Sequence, residues 1–488
     1  MVVNTWDGAA NTNWDDAGNW NSTGITDRIP TDADDVIIPD TSSLNNPTLR
    51  QNQPVQSLVM QTNATVVGAG FKITVHGESS NVAVDHDGII SGDLDLEIQT
   101  ASATTLDITQ ASANFRDVII NDASCVATLV TNTTIGRNLT ITAGELNTTG
   151  TDASLTVTGN VIVGDGSGSA NTAILDGNAS AISVGSLTID SDGKYIATSG
   201  TTTLTSENSS GYCWWQSGGT LTHSNGTVKY TGSADTVMRG QGFYNLILEG
   251  SSSSVDLYVR PHDNVADGDG VFTIANDLTI VEGVLRRNYQ PNQLVVTGDV
   301  SVESGGTLGT TDATGPNTFG SLTIASGGTY SATSGTTTIT NETGGYAWTN
   351  NETDGTGFVH NNGLVHLDIG SSGGSTNVKE NTFYNLKVDM HLATYSCSLQ
   401  DITGNAITIL NDLDITKGEA EMMTASDSLT VHGLTNITAD GKFNDNGTAT
   451  GTITHHGLVT NLGTYKIKSG ETYNLNGGIR QLGTLTVA

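Results

Sequence analysis

Three kinds of cluster in this sequence carry residue types that could do chemistry: alternating carboxylates, repeated histidines and a doubled aromatic loop. Asp85-His86-Asp87-Gly88, Asp190-Ser191-Asp192-Gly193 and Asp267-Gly268-Asp269-Gly270 each set two acids two residues apart ahead of a glycine. Alternating acids of this kind can chelate Ca²⁺, although the full D-x-[DN]-x-[DN]-G-x5-E loop is absent. Asp190, Asp192, Asp267 and Asp269 are the weak calcium candidates, with solvated turns as the plainer reading. No other cofactor is expected. A polysaccharide hydrolase would need two or three carboxylates, or a base and an acid, converging on a groove. The nine arginines and nine lysines are scattered, and no Ser-His-Asp or HExxH pattern stands out.

His455-His456 has no acidic neighbours, and His223 and His360 occupy matching places in two similar segments, which points to a repeated structural role. The aromatic loop reads Gly211-Tyr212-Cys213-Trp214-Trp215 in one copy and Gly345-Tyr346-Ala347-Trp348 in the next. Tyr212, Trp214, Trp215, Tyr346 and Trp348 could stack on glycan rings, bury against another subunit or pack over their own coil. Cys125, Cys213 and Cys397 form no CxxC spacing and read as buried thiols.

The elements that must position these residues come from internal repetition. Gly185–Thr205 recurs as Gly320–Thr340, with sixteen of 21 positions identical. NLTITAGEL from Asn138 matches DLTIVEGVL from Asp277 and DLDITKGEA from Asp412, which aligns Gly144, Gly283 and Gly418. FYNLILEG at Phe243 returns as FYNLKVDM at Phe383. The chain therefore divides into a Trp-rich cap at 1–50, a first β section at 51–137, modules at 138–276 and 277–411, and a shortened third at 412–488.

Within a module, runs such as Leu139-Thr140-Ile141 and Leu155-Thr156-Val157 alternate aliphatic and hydroxyl residues between Gly, Asn, Asp and Ser turns. Period-two alternation makes strands with one apolar face. An array of β-sandwich modules and a parallel β-helix both fit this rhythm. Regular Asn-Gly or Asp-Gly hairpin turns are missing, and the glycine-cornered coil suits stacking, so the sequence predicts an all-β, right-handed parallel β-helix with about 20 residues per coil.

Composition excludes several function classes. The formal net charge is −32, from 18 Lys+Arg against 50 Asp+Glu, which opposes binding to nucleic acid or an anionic membrane surface. No apolar run is long enough for membrane insertion. MVVNTWDGAANTNW at the N-terminus has neither the basic nor the apolar region of a secretory signal. Only 35% of residues are hydrophobic, which suits a thin-cored rod.

The opening Trp6-Asp7-Gly8, Trp14, Asn19-Trp20, Ile29-Pro30 and Asp34-Asp35-Val36-Ile37-Ile38-Pro39, with the later Gly219–Tyr230 coil, resembles repetitive β-helical surface and appendage proteins of environmental bacteria and their phages. That resemblance implies a non-enzymatic virion structural protein, a fibre or a capsid or tail appendage. It would be homo-oligomeric, would contact other virion proteins and would engage a host surface glycan. Without an evident signal or sorting domain, the virion surface is the expected location. An extracellular or cell-surface adhesin, filament or surface-layer protein is the alternative, and a polysaccharide depolymerase the second. Trp6, Trp14 and Trp20 are the attachment candidates, with covering of the open end of the β-helix as the plainer reading and ligand binding as a third.

Overall fold

Strands that alternate Leu, Ile or Val with Thr lie side by side in parallel, each aliphatic above its counterpart in the next coil. In this computed structural model the chain is all-β, 58% strand and 1% helix, and winds a β-solenoid of about 18 turns. The structure describes all residues except 1, 111–112, 262–269, 288–292, 310–313, 353–355, 371–374, 401, 403–405, 423–427, 445–450, 469–470 and 488. Asp267 and Asp269 lie outside the described residues. The sandwich array, which needs antiparallel neighbours, is set aside by the parallel coil-to-coil pairing.

Two compact units make up the chain: Met1–Gly232 with Thr236–Gly242, and Ser233–Asp235 with Phe243–Ala488. Their boundary falls inside the 138–276 module, so the sequence repeat and the compact unit are different divisions. In the first unit, Leu139, Val161, Leu187 and Trp214 form one inward column. Ile141, Val163 and Ile189 form a second, and all seven are buried. Thr140, Ile162 and Thr188 face outward between them. The second unit repeats the plan with Leu278, Val300, Leu322, Trp348 and Val378. Each buried Leu, Ile or Val contributes about 1.5–3 kcal/mol, so the inward residues of a few short strands sustain a coil.

Ala127 pairs with Leu146 and Leu246 with Leu278, so one coil takes from 19 to 32 residues and often exceeds the expected 20. Gly144, Gly283 and Gly418 mark the same corner in three copies, all at positive φ (92°, 106° and 85°) and all inside long strands. The corner is a bend within one strand, at or beside a shift of ladder register. A Cβ at Gly144 would lie 2.3 Å from the Asp122 carbonyl oxygen and 2.9 Å from that of Cys125. Gly144→Ala is therefore expected to cost about 2–3 kcal/mol, read as a lower urea midpoint; an unchanged midpoint would count against the strained corner.

Candidate functional site

The tryptophans of the opening section turn inward. Trp6, Trp14 and Trp20 are all buried. Trp20 stands edge-on to both others, with ring centroids 5.0 Å from Trp6 and 4.8 Å from Trp14. Trp6 Nε1 donates to the Asn45 carbonyl at 2.6 Å, and Trp20 Nε1 to that of Trp14 at 2.8 Å. Val2–Trp6 pairs in parallel with Asp34–Ile38 and antiparallel with Trp20–Ser22, so a strand of reversed polarity covers the edge of the first coil. Buried in this way, the rings of Trp6, Trp14 and Trp20 leave no free face for a partner, which fits the capping reading over attachment.

The doubled aromatic loop divides by strand parity. Trp214 and Trp348 are core residues, paired in the ladder with Leu187 and Leu322. They therefore leave the set of glycan or subunit contacts. Tyr212, Trp215 and Tyr346 point outward and are half-buried. Trp215 meets the Tyr212 ring edge-on at 4.1 Å and carries the Arg239 guanidinium 5.0 Å above its own ring. In the second copy Thr349 stands in place of Trp215, and Lys379 in place of Arg239. A coil of this type thus does not require an outward tryptophan.

Many acids and amides tie one coil to the next. Asp95 Oδ1 accepts the Asp117 N–H, Asp117 Oδ1 the Asn138 N–H, and Asn138 Oδ1 the Asn160 N–H, at 3.2, 3.1 and 3.0 Å. In the second unit, Asn245 Oδ1 accepts the Asp277 N–H at 3.2 Å and Asp277 Oδ1 the Asp299 N–H at 2.9 Å. Asn385 and Asp412 repeat the arrangement toward Asp412 and Leu434. Arg116 makes a two-bond fork with Asp95, 2.8 and 2.7 Å, and Arg137 bonds Asp117 on the following coil. Two of the arginines that look scattered in sequence, Arg116 and Arg137, thus share a column with these acids.

Asp192 is the same kind of tie. Its side chain is almost fully buried, and its two oxygens accept the Gly166 N–H at 2.8 Å and the Asp165 N–H at 3.3 Å. Burial, with Asp192 and Asp165 nearby, holds the Asp190 carboxyl above its ordinary range. In this arrangement Asp192 is engaged by backbone N–H groups and closed to solvent, which fits the plainer reading of a turn. Among the described residues, no group of three or more His, Cys, Asp or Glu is placed to hold a metal ion.

His223 and His360 perform one task. Each Nδ1 accepts the backbone N–H two residues on, from Asn225 and Asn362, at 3.0 Å. Ser224, Asn225, Asn361 and Asn362 all lie at positive φ, so the imidazole braces a tight left-handed turn. Cys125, Cys213 and Cys397 are buried free thiols, and desolvation pushes each up to about 12. None should react with a disulfide reagent in the native state at pH 8, and all three should react once the chain is unfolded in urea. Reaction of a native thiol would contradict their burial.

Polar groups inside the core escaped the sequence reading. Tyr195 and Tyr330 are buried beside Trp214 and Trp348, and each hydroxyl meets the threonine seven residues on, Thr202 or Thr337, at 2.6 Å. The recurrence of that Tyr and Thr in both copies was the available signal. Glu380 is buried, and its side chain accepts from Trp348 Nε1, Asn350 Nδ2 and the Asn381 and Thr382 N–H groups. Desolvation outweighs those bonds and raises its pKa to about 7. Repeat alignment puts Gly240 at this position in the first unit, where neutral Gln216 accepts the Gln241 N–H instead. His455 is buried between Thr435 and Tyr465, at 2.7 and 3.0 Å, and desolvation lowers its pKa to about 4.

The fold and these ties define a parallel β-solenoid braced by side-chain ladders. Comparisons with protein-family models, curated proteins and solved structures find no match to the chain.

Proposed function

We propose that the chain is a non-enzymatic structural protein of a virion surface, a β-solenoid fibre or a capsid or tail appendage of a bacteriophage. It associates with further copies and other virion proteins, and it contributes to attachment at a host surface. One observation carries this reading: acids and amides that could converge on a substrate instead accept the backbone N–H groups of the next coil, from Asp95 through Asn138 and from Asn245 through Asp299. Chemistry distributed in this way favours persistence over turnover. The resemblance of the opening section to phage and bacterial surface proteins supports the location. A net charge of −32 adds repulsion that keeps such an exposed assembly in solution without non-specific clumping.

A cell-surface adhesin or filament is the second reading, favoured by Trp215, which is outward where its repeat carries Thr349. Immunogold microscopy with antibodies to this chain separates the two on particles and cells from a producing culture. Label on virions supports the proposal. Label confined to cell envelopes establishes the second reading, and label on neither overturns both.

A further inference from the structure

The second unit carries an outer-face arrangement that the coil-to-coil ties do not use. His432 and His456 are both exposed, and their imidazoles stack with centroids 4.9 Å apart and planes 10° from parallel. Each follows an inward residue of the ladder, Val431 or His455, and these two are ladder partners. Each also precedes a glycine, and the glycines stack so closely that a Cβ at Gly457 would lie 2.0 Å from the Gly433 carbonyl oxygen. The two histidines are thus fixed one strand spacing apart, about 4.8 Å, and project the same way. Asn476 occupies the next step of the column, with Nδ2 3.3 Å from His456 Nδ1.

We propose that His432 and His456 form a two-imidazole site for a borderline divalent transition metal, Cu²⁺ first and Ni²⁺ or Zn²⁺ after it. Neutral imidazole suits these ions, and Cu²⁺ binds such a ligand set most tightly. Rotation about the side-chain bonds, unopposed at exposed positions, turns one nitrogen of each ring toward a shared ion; water completes the coordination. The Asn476 Nδ2 lies against the nitrogen that the ion would take on His456, and turning the exposed amide over would present its carbonyl oxygen as a third donor. No covalent bond is made or broken: the ion takes the place of the Asn476 Nδ2 contact on His456 Nδ1, and the backbone ladder stays as it is.

The test is titration of the intact, tag-free chain with CuCl₂ and NiCl₂ by calorimetry, with Cu²⁺ electron paramagnetic resonance of the complex. The expected result is one site per chain with two nitrogen ligands. Its affinity should fall at least tenfold in both His432→Asn and His456→Asn, because loss of a ligand costs no less than the about 10–100-fold seen for outer-shell partners. Circular dichroism and the urea midpoint verify that each variant is folded. Undiminished binding in either variant, a single-nitrogen signature, or no binding at millimolar metal overturns the proposal.

Discussion

Single substitutions at Glu380 and His455 will give the second unit opposite dependences of stability on pH. The folded Glu380 carboxyl keeps its proton up to about pH 7, whereas an ordinary glutamate loses it near 4.5. Between those values the folded state binds more protons, so stability falls as pH rises, by about 3 kcal/mol over the window. His455 reverses the order: buried and neutral to about pH 4, it is compared with an ordinary value of 6.5. There the unfolded state binds more protons, so stability is lost as pH falls, again by about 3 kcal/mol. From these two groups alone, the wild type is close to level between roughly pH 4.5 and 6.5.

Urea unfolding from pH 4 to 8 exposes the two contributions as differences from wild type. Wild type minus Glu380→Gln should drop by about 3 kcal/mol between pH 4.5 and 7, and wild type minus His455→Asn should climb by a similar amount between pH 4 and 6.5. The slope is the readout, because baselines will also move. The amide introduced by Glu380→Gln cannot accept from all four donors that meet the two Glu380 oxygens, which displaces the baseline by about 1–3 kcal/mol. A level difference for either variant would mean that the group does not titrate as its burial requires. The first unit supplies a natural control, since neutral Gln216 satisfies the Gln241 N–H there.

Much of this architecture is legible in the sequence because strand parity and repetition reinforce each other. Leu139-Thr140-Ile141 and its relatives state which face is inward, and the 16-in-21 identity between Gly185–Thr205 and Gly320–Thr340 states that coils recur. Parity also separates Trp214 from Trp215 and His455 from His456, once one member is fixed to the core by its copy or its ladder partner. What parity leaves out is the third dimension of the corner. Asn138, Asp277 and Asp412 are visible as a repeated residue ahead of a strand, but the N–H each accepts belongs to the next coil and depends on register. Coil length varies because loops lengthen without disturbing the ladder, so that register cannot be counted from a fixed period. Glu380 was harder still: a Glu beside a strand end reads as solvated, and only the packing of Trp348 and Asn350 shows it enclosed. The converse holds at Asp190 and Asp192, which share a turn in the sequence but not an environment in the fold.

Trp20→Ala is expected to cost roughly 3–5 kcal/mol, the largest loss from any single truncation of the cap. The ring touches Trp6 and Trp14 edge-on and donates to the Trp14 carbonyl, so its removal leaves a cavity between two aromatics and an unpaired buried oxygen. In a solenoid each coil is stabilised mainly by its neighbours, so the loss falls on the first coils. Hydrogen exchange should accelerate through Val2–Trp6 and Asp34–Ile38 and remain unchanged in Ile182–Asp190. Freed of its antiparallel cover, the first strand offers an open edge, and the variant should self-associate on gentle warming. Trp215→Ala serves as the comparison: it removes an outward ring with one edge contact and one cation–π contact, for about 1 kcal/mol and no change in association. A Trp20→Ala protein with wild-type midpoint and exchange would return the tryptophans to attachment. If the chain is the virion component proposed above, contact at this end would fall to the exposed Ile25, Ile29 and Leu44, whose replacement by Ser should leave the midpoint unchanged while weakening incorporation into the virion.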